Sequence, residues 1–183
     1  MDLITFHSGS IANADTFLNK HEYVASHCLM YANGKIFLLS ANYNNDIEKA
    51  SIFDLYSLIL RRQNCSFYTF ITNGLVVVEH KKNLPKKIKR PSEHPNSKSI
   101  VIAISISKTD ILVSMYTIDN NCLVPFEETI NNGTFGGEII NFFNREIDPE
   151  FEIAFNELWK SGIKPPWFTE LDERIFRNNK ADV

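Results

Sequence analysis

Two Asn-Gly pairs, Asn33-Gly34 and Asn73-Gly74, constrain the fold of this chain more than any other feature of its sequence. Each pair stands between short runs of apolar and β-branched residues. Asn-Gly supplies the two positive-φ positions of a type I′ turn, whose twist matches that of antiparallel strands. The sequence therefore predicts two β-hairpins.

The first hairpin is predicted to join strands 24–31 and 35–41. A two-residue turn sets Ala32 opposite Lys35, and this register gathers four residues on one apolar face: Cys28, Met30, Phe37 and Leu39. The second hairpin is predicted to join strands 67–72 and 75–80. In that register His80 lies opposite Phe67, and Cys65 is diagonal to His80 on the same face.

Helices and further strands surround these hairpins. A helix is predicted at 46–62, with Asn45 as its N-cap, Glu48 three residues on, and Ile47, Ala50, Leu55, Leu58 and Ile59 on its apolar side. Strands are predicted at 100–107, 111–117 and 122–126, and helices at 138–145, 149–160 and 169–177. Strand pairs followed by helices indicate an α+β fold. The expected architecture is a mainly antiparallel sheet built from hairpins, with one helix inserted after the first hairpin and two to three helices at the C-terminus, within about 138–177.

Length and composition favour one domain spanning residues 1–183, since 44% of the 183 residues are hydrophobic. The N-terminus has no signal-peptide pattern, and no apolar run is long enough to cross a membrane. Three cysteines, an odd number, fit a reducing compartment better than an oxidising one. We therefore expect a cytoplasmic protein without a membrane segment. The net charge of −3 names no partner, and the oligomeric state is not predicted.

The segment 81–99 is rich in Lys and Pro and has no periodicity, which predicts an exposed basic loop. Four of its side chains are candidates for contact with an anion: Lys86, Lys87, Lys89 and Arg90. Phosphate contacts come mainly from Lys and Arg, so a nucleic-acid-associated protein that uses the loop from Lys81 to Arg90 is one hypothesis. The loop offers no aromatic residue for base stacking, which makes nucleic acid an unlikely partner.

Catalytic and metal-binding patterns are absent from the sequence. No His pair has the spacing of a zinc site, and the glycines at 133–137 lack the Lys-Ser/Thr ending of a P-loop. We therefore predict no metal and no cofactor. An enzyme acting on a small molecule is an alternative hypothesis, with a pocket beside the sheet that uses His80 or the turn at Gly136-Gly137.

Carboxylates cluster in the last third of the chain. Glu150 and Glu157, with Ile153 and Ala154 between them, predict an amphipathic helix whose acids point outward. The candidate protein-binding residues are Glu150, Glu157, Glu170, Asp172, Glu173 and Trp167. For Trp167, an interface anchor and a cover for the core are both open interpretations.

An acidic face without catalytic groups is typical of an interaction domain. The most specific hypothesis is a non-catalytic immunity or antitoxin protein that covers a basic, nuclease-like toxin. Nucleases are basic because they bind phosphate, so carboxylates on an inhibitor complement their charge and speed association.

Overall fold

The structure, a computed structural model, describes residues 1–76, 97–126 and 142–172. In these ranges the helices are α1 (Leu3–His21), α2 (Asp46–Arg62) and α3 (Pro149–Lys160). The strands are β1 (His27–Ala32), β2 (Lys35–Leu39), β3 (Cys65–Val76), β4 (Lys98–Ser107), β5 (Ile111–Asp119), β6 (Cys122–Pro125) and β7 (Phe168–Leu171).

The strands form one antiparallel sheet in the order β6-β5-β4-β3-β1-β2-β7. Neighbouring side chains of a strand point to opposite faces, so β1 contributes to two cores. Leu29 packs with Phe6 of α1 on one face. Met30 shares the other face with Phe53 of α2 and Phe155 of α3. The predicted α+β class and antiparallel sheet are confirmed, with helices on both faces.

The first hairpin forms in the predicted register. Ala32 lies opposite Lys35, and Met30 lies opposite Phe37. Asn33 and Gly34 have φ angles of 52° and 78°, as a type I′ turn requires. The four residues predicted to share an apolar face all belong to one buried cluster.

The prediction of a second hairpin is wrong. β3 runs straight through Asn73-Gly74 and pairs with β4 on one side. The Asn73 amide nitrogen donates to the main-chain oxygen of Val24 at 2.6 Å. A Cβ on Gly74 would lie 2.9 Å from Cδ1 of Ile102, so this glycine serves close strand packing and not a turn.

The register predicted for that hairpin is also wrong. Phe67 lies opposite Ser107 of β4 and Tyr31 of β1. His80 lies outside the described residues, as do residues 81–96 of the predicted basic loop. The last residues of that predicted loop, Lys98 and Ser99, belong to β4.

Helix α2 has the predicted bounds. The Asn45 side chain accepts a hydrogen bond from the Glu48 main-chain nitrogen at 2.9 Å, and the Glu48 carboxylate accepts one from the Asn44 nitrogen at 2.8 Å. Of its predicted apolar side, Leu58 and Ile59 are buried and Leu55 packs against the core. Ile47, which is 80% exposed, and Ala50, which is exposed, do not belong to that side, and Phe53, Tyr56 and Leu60 complete it.

Helix α1 was not predicted. Glycine, serine and asparagine residues within it are weak helix formers, and they hid its apolar stripe of Phe6, Ala14 and Leu18. Asp2 is its N-cap, and the Asp2 carboxylate accepts a hydrogen bond from the Thr5 main-chain nitrogen at 2.8 Å. The helix propensity of its residues is low, and α1 is stabilised instead by packing on β3 and β4.

The C-terminal part is less helical than predicted. Helix α3 has the expected bounds, with Asp148 as N-cap and Gly162 at a φ of 82° just beyond its end. The prediction of a helix at 169–177 is wrong for its first residues, since Phe168–Leu171 is strand β7, which satisfies the outer edge of β2. Residues 142–144 lie in a turn, while 138–141 and 173–177 lie outside the described residues.

Aromatic rings form the centre of the core between the sheet and α2. Phe142 is fully buried, and its ring meets four others at centroid distances of 5.2–5.8 Å. Those rings belong to Phe53 and Tyr56 of α2 and to Tyr68 and Phe70 of β3. The Phe142 main-chain nitrogen also donates to the Tyr68 hydroxyl at 2.9 Å. One side chain thus joins a helix to the sheet.

The two glycines of the Asn-Gly pairs should respond differently to alanine. Gly34→Ala should lower the free energy of unfolding by about 1–2 kcal/mol, because its φ is positive while the space around it is open. The cost of Gly74→Ala should shrink in the background of Ile102→Val, which removes the contacting Cδ1. Urea unfolding of the single and double variants measures both effects. Equal costs for Gly74→Ala in the two backgrounds would contradict the close-packing explanation.

Removal of the Phe142 ring should be among the most costly core changes. Phe142→Ala should lower the free energy of unfolding by about 3–5 kcal/mol, since the ring is fully buried. Phe17→Ala is the matched control. Because Phe17 is 36% exposed on α1, this variant should lower the free energy of unfolding much less. Chemical unfolding gives both values, and similar losses for the two variants would contradict a central role for Phe142.

Candidate protein-binding surface

Helix α3 turns an aromatic stripe toward the core. Phe151, Phe155 and Trp159 follow one another at four-residue spacing, and all three join the buried cluster under α2. Arg62 of α2 donates to the Asn156 side chain at 3.1 Å. These contacts fix which side of α3 faces solvent.

The solvent side of α3 is more apolar than predicted. Ile153 and Leu158 are 60% and 51% exposed, and Ile163, just after the helix, is 57% exposed. Ile153 and Ala154 do not form the inward side that the sequence pattern indicated. The larger aromatic side chains occupy that side because their burial removes more apolar area from water.

We name the α3 outer surface after six exposed residues: Glu150, Ile153, Ala154, Glu157, Leu158 and Ile163. Ile153 follows Glu150 by three residues and precedes Glu157 by four, so these three side chains are neighbours along the helix. No hydrogen bond or salt bridge engages the carboxylates of Glu150 and Glu157 among the described residues. The surface therefore combines aliphatic side chains with two unpaired negative charges.

The other acidic residues predicted to bind a protein do not belong to the α3 outer surface. Glu170 lies on β7 and forms an ion pair with Lys35 of β2 at 2.9 Å, with both side chains about half exposed (52% and 56%). Asp172 is exposed just beyond β7, and Glu173 lies outside the described residues. The charge of Glu170 is thus partly balanced within the chain.

Trp167 is half-buried and packs against Tyr56, with 5.4 Å between ring centroids. Its main-chain oxygen accepts from the Ser40 nitrogen at 3.3 Å. The ring covers the core at the edge beside β7. The candidate anion contacts Lys86, Lys87, Lys89 and Arg90 and the Gly136-Gly137 turn lie outside the described residues.

A buried polar network beneath α1 is the feature that the sequence pattern missed. His7 Nδ1 lies 2.7 Å from the Ser105 hydroxyl, and Nε2 lies 2.8 Å from the Ser114 hydroxyl. Thr69 lies 2.5 Å from Ser105 and 3.2 Å from Ser10. The sequence pattern did not reveal the network because helix α1 was not predicted. Ser105 of β4 and Ser114 of β5 are also distant from His7 in sequence.

The network joins α1 to the sheet. Burial lowers the pKa of His7, so its imidazole is neutral at neutral pH. Hydroxyl groups donate and accept, so they satisfy both ring nitrogens in either tautomer. Ser114 lies within β5 and is paired with Ala103 of β4, so its surroundings are those of a packed strand.

The buried cysteines are unsuited to nucleophilic chemistry. Burial raises the pKa of Cys28 well above its ordinary value and that of Cys65 to about 12. Both are therefore neutral thiols, whereas the thiolate is the nucleophile. Within residues 1–76, 97–126 and 142–172, no His, Cys, Asp and Glu side chains gather as metal ligands, and no helix has the length and apolarity to span a membrane.

No protein-family model, curated protein or solved structure matches this chain.

The two buried histidines predict loss of stability in mild acid. Burial lowers the pKa of His7 and of His27 below 6.5, so the unfolded chain binds more protons than the folded one just below that pH. The free energy of unfolding should therefore fall between pH 7.5 and 5.5. In a His7→Gln/His27→Gln double variant, the free energy of unfolding should fall less over the same pH interval. Urea unfolding at both pH values measures this, and a wild-type stability that is constant or higher at pH 5.5 would contradict it.

Proposed function

We propose that this chain is a non-catalytic protein-binding domain that docks through the α3 outer surface. The observation that carries the proposal is the exposure of Ile153, Leu158 and Ile163 on and beside a helix whose aromatic side already fills the core. Exposed apolar side chains beside polar neighbours are typical of interaction sites.

The charge of the surface favours a basic partner. Glu150 and Glu157 flank Ile153 and have no cationic partner among the described residues. Carboxylates at the rim of an apolar contact steer a positively charged protein and raise its association rate. The aliphatic side chains then supply the desolvated centre of the contact.

The partner class that fits this chemistry best is a basic, nuclease-like toxin in the cytoplasm, with this chain as its immunity or antitoxin-type inhibitor. A nuclease surface carries Lys and Arg for phosphate, and the same groups meet the two glutamates in the complex. The enzyme and nucleic-acid alternatives use His80, Gly136-Gly137 or the Lys81–Arg90 loop, all outside the described residues, and stay predictions.

A site-specific crosslink identifies the partner. A photoreactive phenylalanine analogue at Ile153, introduced in the native host, should capture one basic protein, identified by mass spectrometry. The same analogue at Ile118 of β5, which is 45% exposed, is the control and should not capture it. Capture of an acidic protein, or equal capture from positions 153 and 118, would contradict the proposal. Stoichiometric loss of the partner's nuclease activity is the expected result for a toxin inhibitor.

Charge reversal then tests the surface with the purified partner. Glu150→Lys with Glu157→Lys should lower the association rate by about tenfold or more at low salt, and the wild-type rate should fall with added NaCl. Asp119→Lys is the matched control, an exposed acid beside β6 at the opposite edge of the sheet. Stopped-flow mixing measures the rates. Equal rates for the wild type and the α3 variant would remove the electrostatic part of the proposal.

A further inference from the structure

A cavity of about 540 Å³ opens where four segments meet: the end of α2, the start of β3, the turn after β4, and the turn at 143–144. Small-molecule sites commonly have about 300–1,000 Å³. The lining residues are Leu60, Arg61, Asn64, Cys65, Ser107, Lys108, Phe143 and Asn144. We infer that this cavity binds a small organic anion with an apolar body, such as an aryl phosphate or aryl carboxylate.

The charged residues of the lining that the structure describes are both cations, Arg61 and Lys108. One guanidinium nitrogen of Arg61 donates to the main-chain oxygen of Arg145, which holds the group in place and leaves its other N–H groups for a ligand. Lys108 has no salt bridge or hydrogen bond to the described residues. An anion in the cavity would meet donors from two sides.

Two carboxylates on the same segments as these cations, Asp110 and Asp54, are already engaged by other side chains. Asp110 accepts from the Thr109 hydroxyl at 2.5 Å and from the Ser107 hydroxyl at 3.3 Å. Asp54 pairs with Arg145 at 2.5 Å. Neither forms an ion pair with Arg61 or Lys108, so no carboxylate among the described residues pairs with the two cations of the lining.

The remaining lining suits the rest of such a ligand. The half-buried ring of Phe143 supplies an apolar wall, while Leu60 and Cys65 are buried beneath the surface of the cavity. Cys65 is a neutral thiol whose hydrogen bond goes to the Phe67 main-chain oxygen at 3.1 Å. Asn64 and Asn144 add amide groups that donate or accept. Bare phosphate would leave the accessible part of the Phe143 ring in water, whereas an aryl group would cover it.

Titration with simple probes tests the inference on the full chain. Phenyl phosphate or benzoate should shift the backbone NMR signals of Asn64, Lys108 and Asn144, and the tighter of the two identifies the anionic group preferred. Inorganic phosphate should bind at least about tenfold more weakly, and phenol, which is uncharged at neutral pH, should not shift these signals. Shifts confined to other parts of the chain would overturn the inference.

Neutral variants separate the cavity from general attraction of anions. Lys108→Gln should weaken phenyl phosphate binding by about tenfold, and so should Arg61→Gln, which also loses its bond to Arg145. Lys20→Gln on α1 is the matched control and should bind as the wild type does. Because Lys108 is exposed in a turn, its variant should keep wild-type thermal stability. Unchanged affinity in Lys108→Gln would overturn the inference without bearing on the α3 outer surface.

Discussion

The packing of Phe142 between α2 and β3 is the interaction on which the rest of this structure depends. Its ring lies between α2 and the sheet and contacts rings of both. Burial of one large ring replaces many smaller contacts, since aromatic side chains carry most area per residue. The hydroxyls beside it are satisfied: Tyr68 accepts from Phe142, and Tyr56 bonds Ala41 and Leu39. Both tyrosine hydroxyls of the cluster therefore have hydrogen-bond partners, whereas the buried Ser57 hydroxyl of α2 has none among the described residues.

The position of α3 follows from that cluster. The segment from Phe142 to α3 is short, and its Arg145 pairs with Asp54 while Arg61 binds the Arg145 carbonyl. With its start held on α2, α3 places the aromatic stripe of Phe151, Phe155 and Trp159 inward. Ile153 and Leu158 are left outside because a single helix has one core side and aromatic residues occupy it. The exposed aliphatic surface is thus a consequence of how the core is filled.

Local sequence signals predicted the elements that depend on residues close together in the sequence. The turn at Asn33-Gly34 and the Asn45 cap of α2 depend on residues a few positions apart, and they form as expected. Asn73-Gly74 is the same dipeptide, but Asn73 bonds Val24 and Gly74 packs close to Ile102. Both partners are distant in sequence, so no local pattern reveals these contacts. For the site, periodicity predicted that Glu150 and Glu157 face solvent. It could not tell which apolar side of α3 enters the core, nor assemble a cavity from four separate segments.

The segment that contains Asn144 and Arg145 lies between the cationic cavity and helix α3, and hydrogen bonds hold it on α2. Asn144 lines the cavity, Arg145 bonds Arg61 and Asp54, and α3 begins soon afterwards. Two sites beside one segment affect each other only if that segment has two arrangements that the ligands distinguish. The buried ring of Phe142 next to this segment opposes a second arrangement, because a close-packed core cannot shift gradually. A ligand in the cavity and a protein on α3 should therefore bind as independent events, each governed by its own local charge.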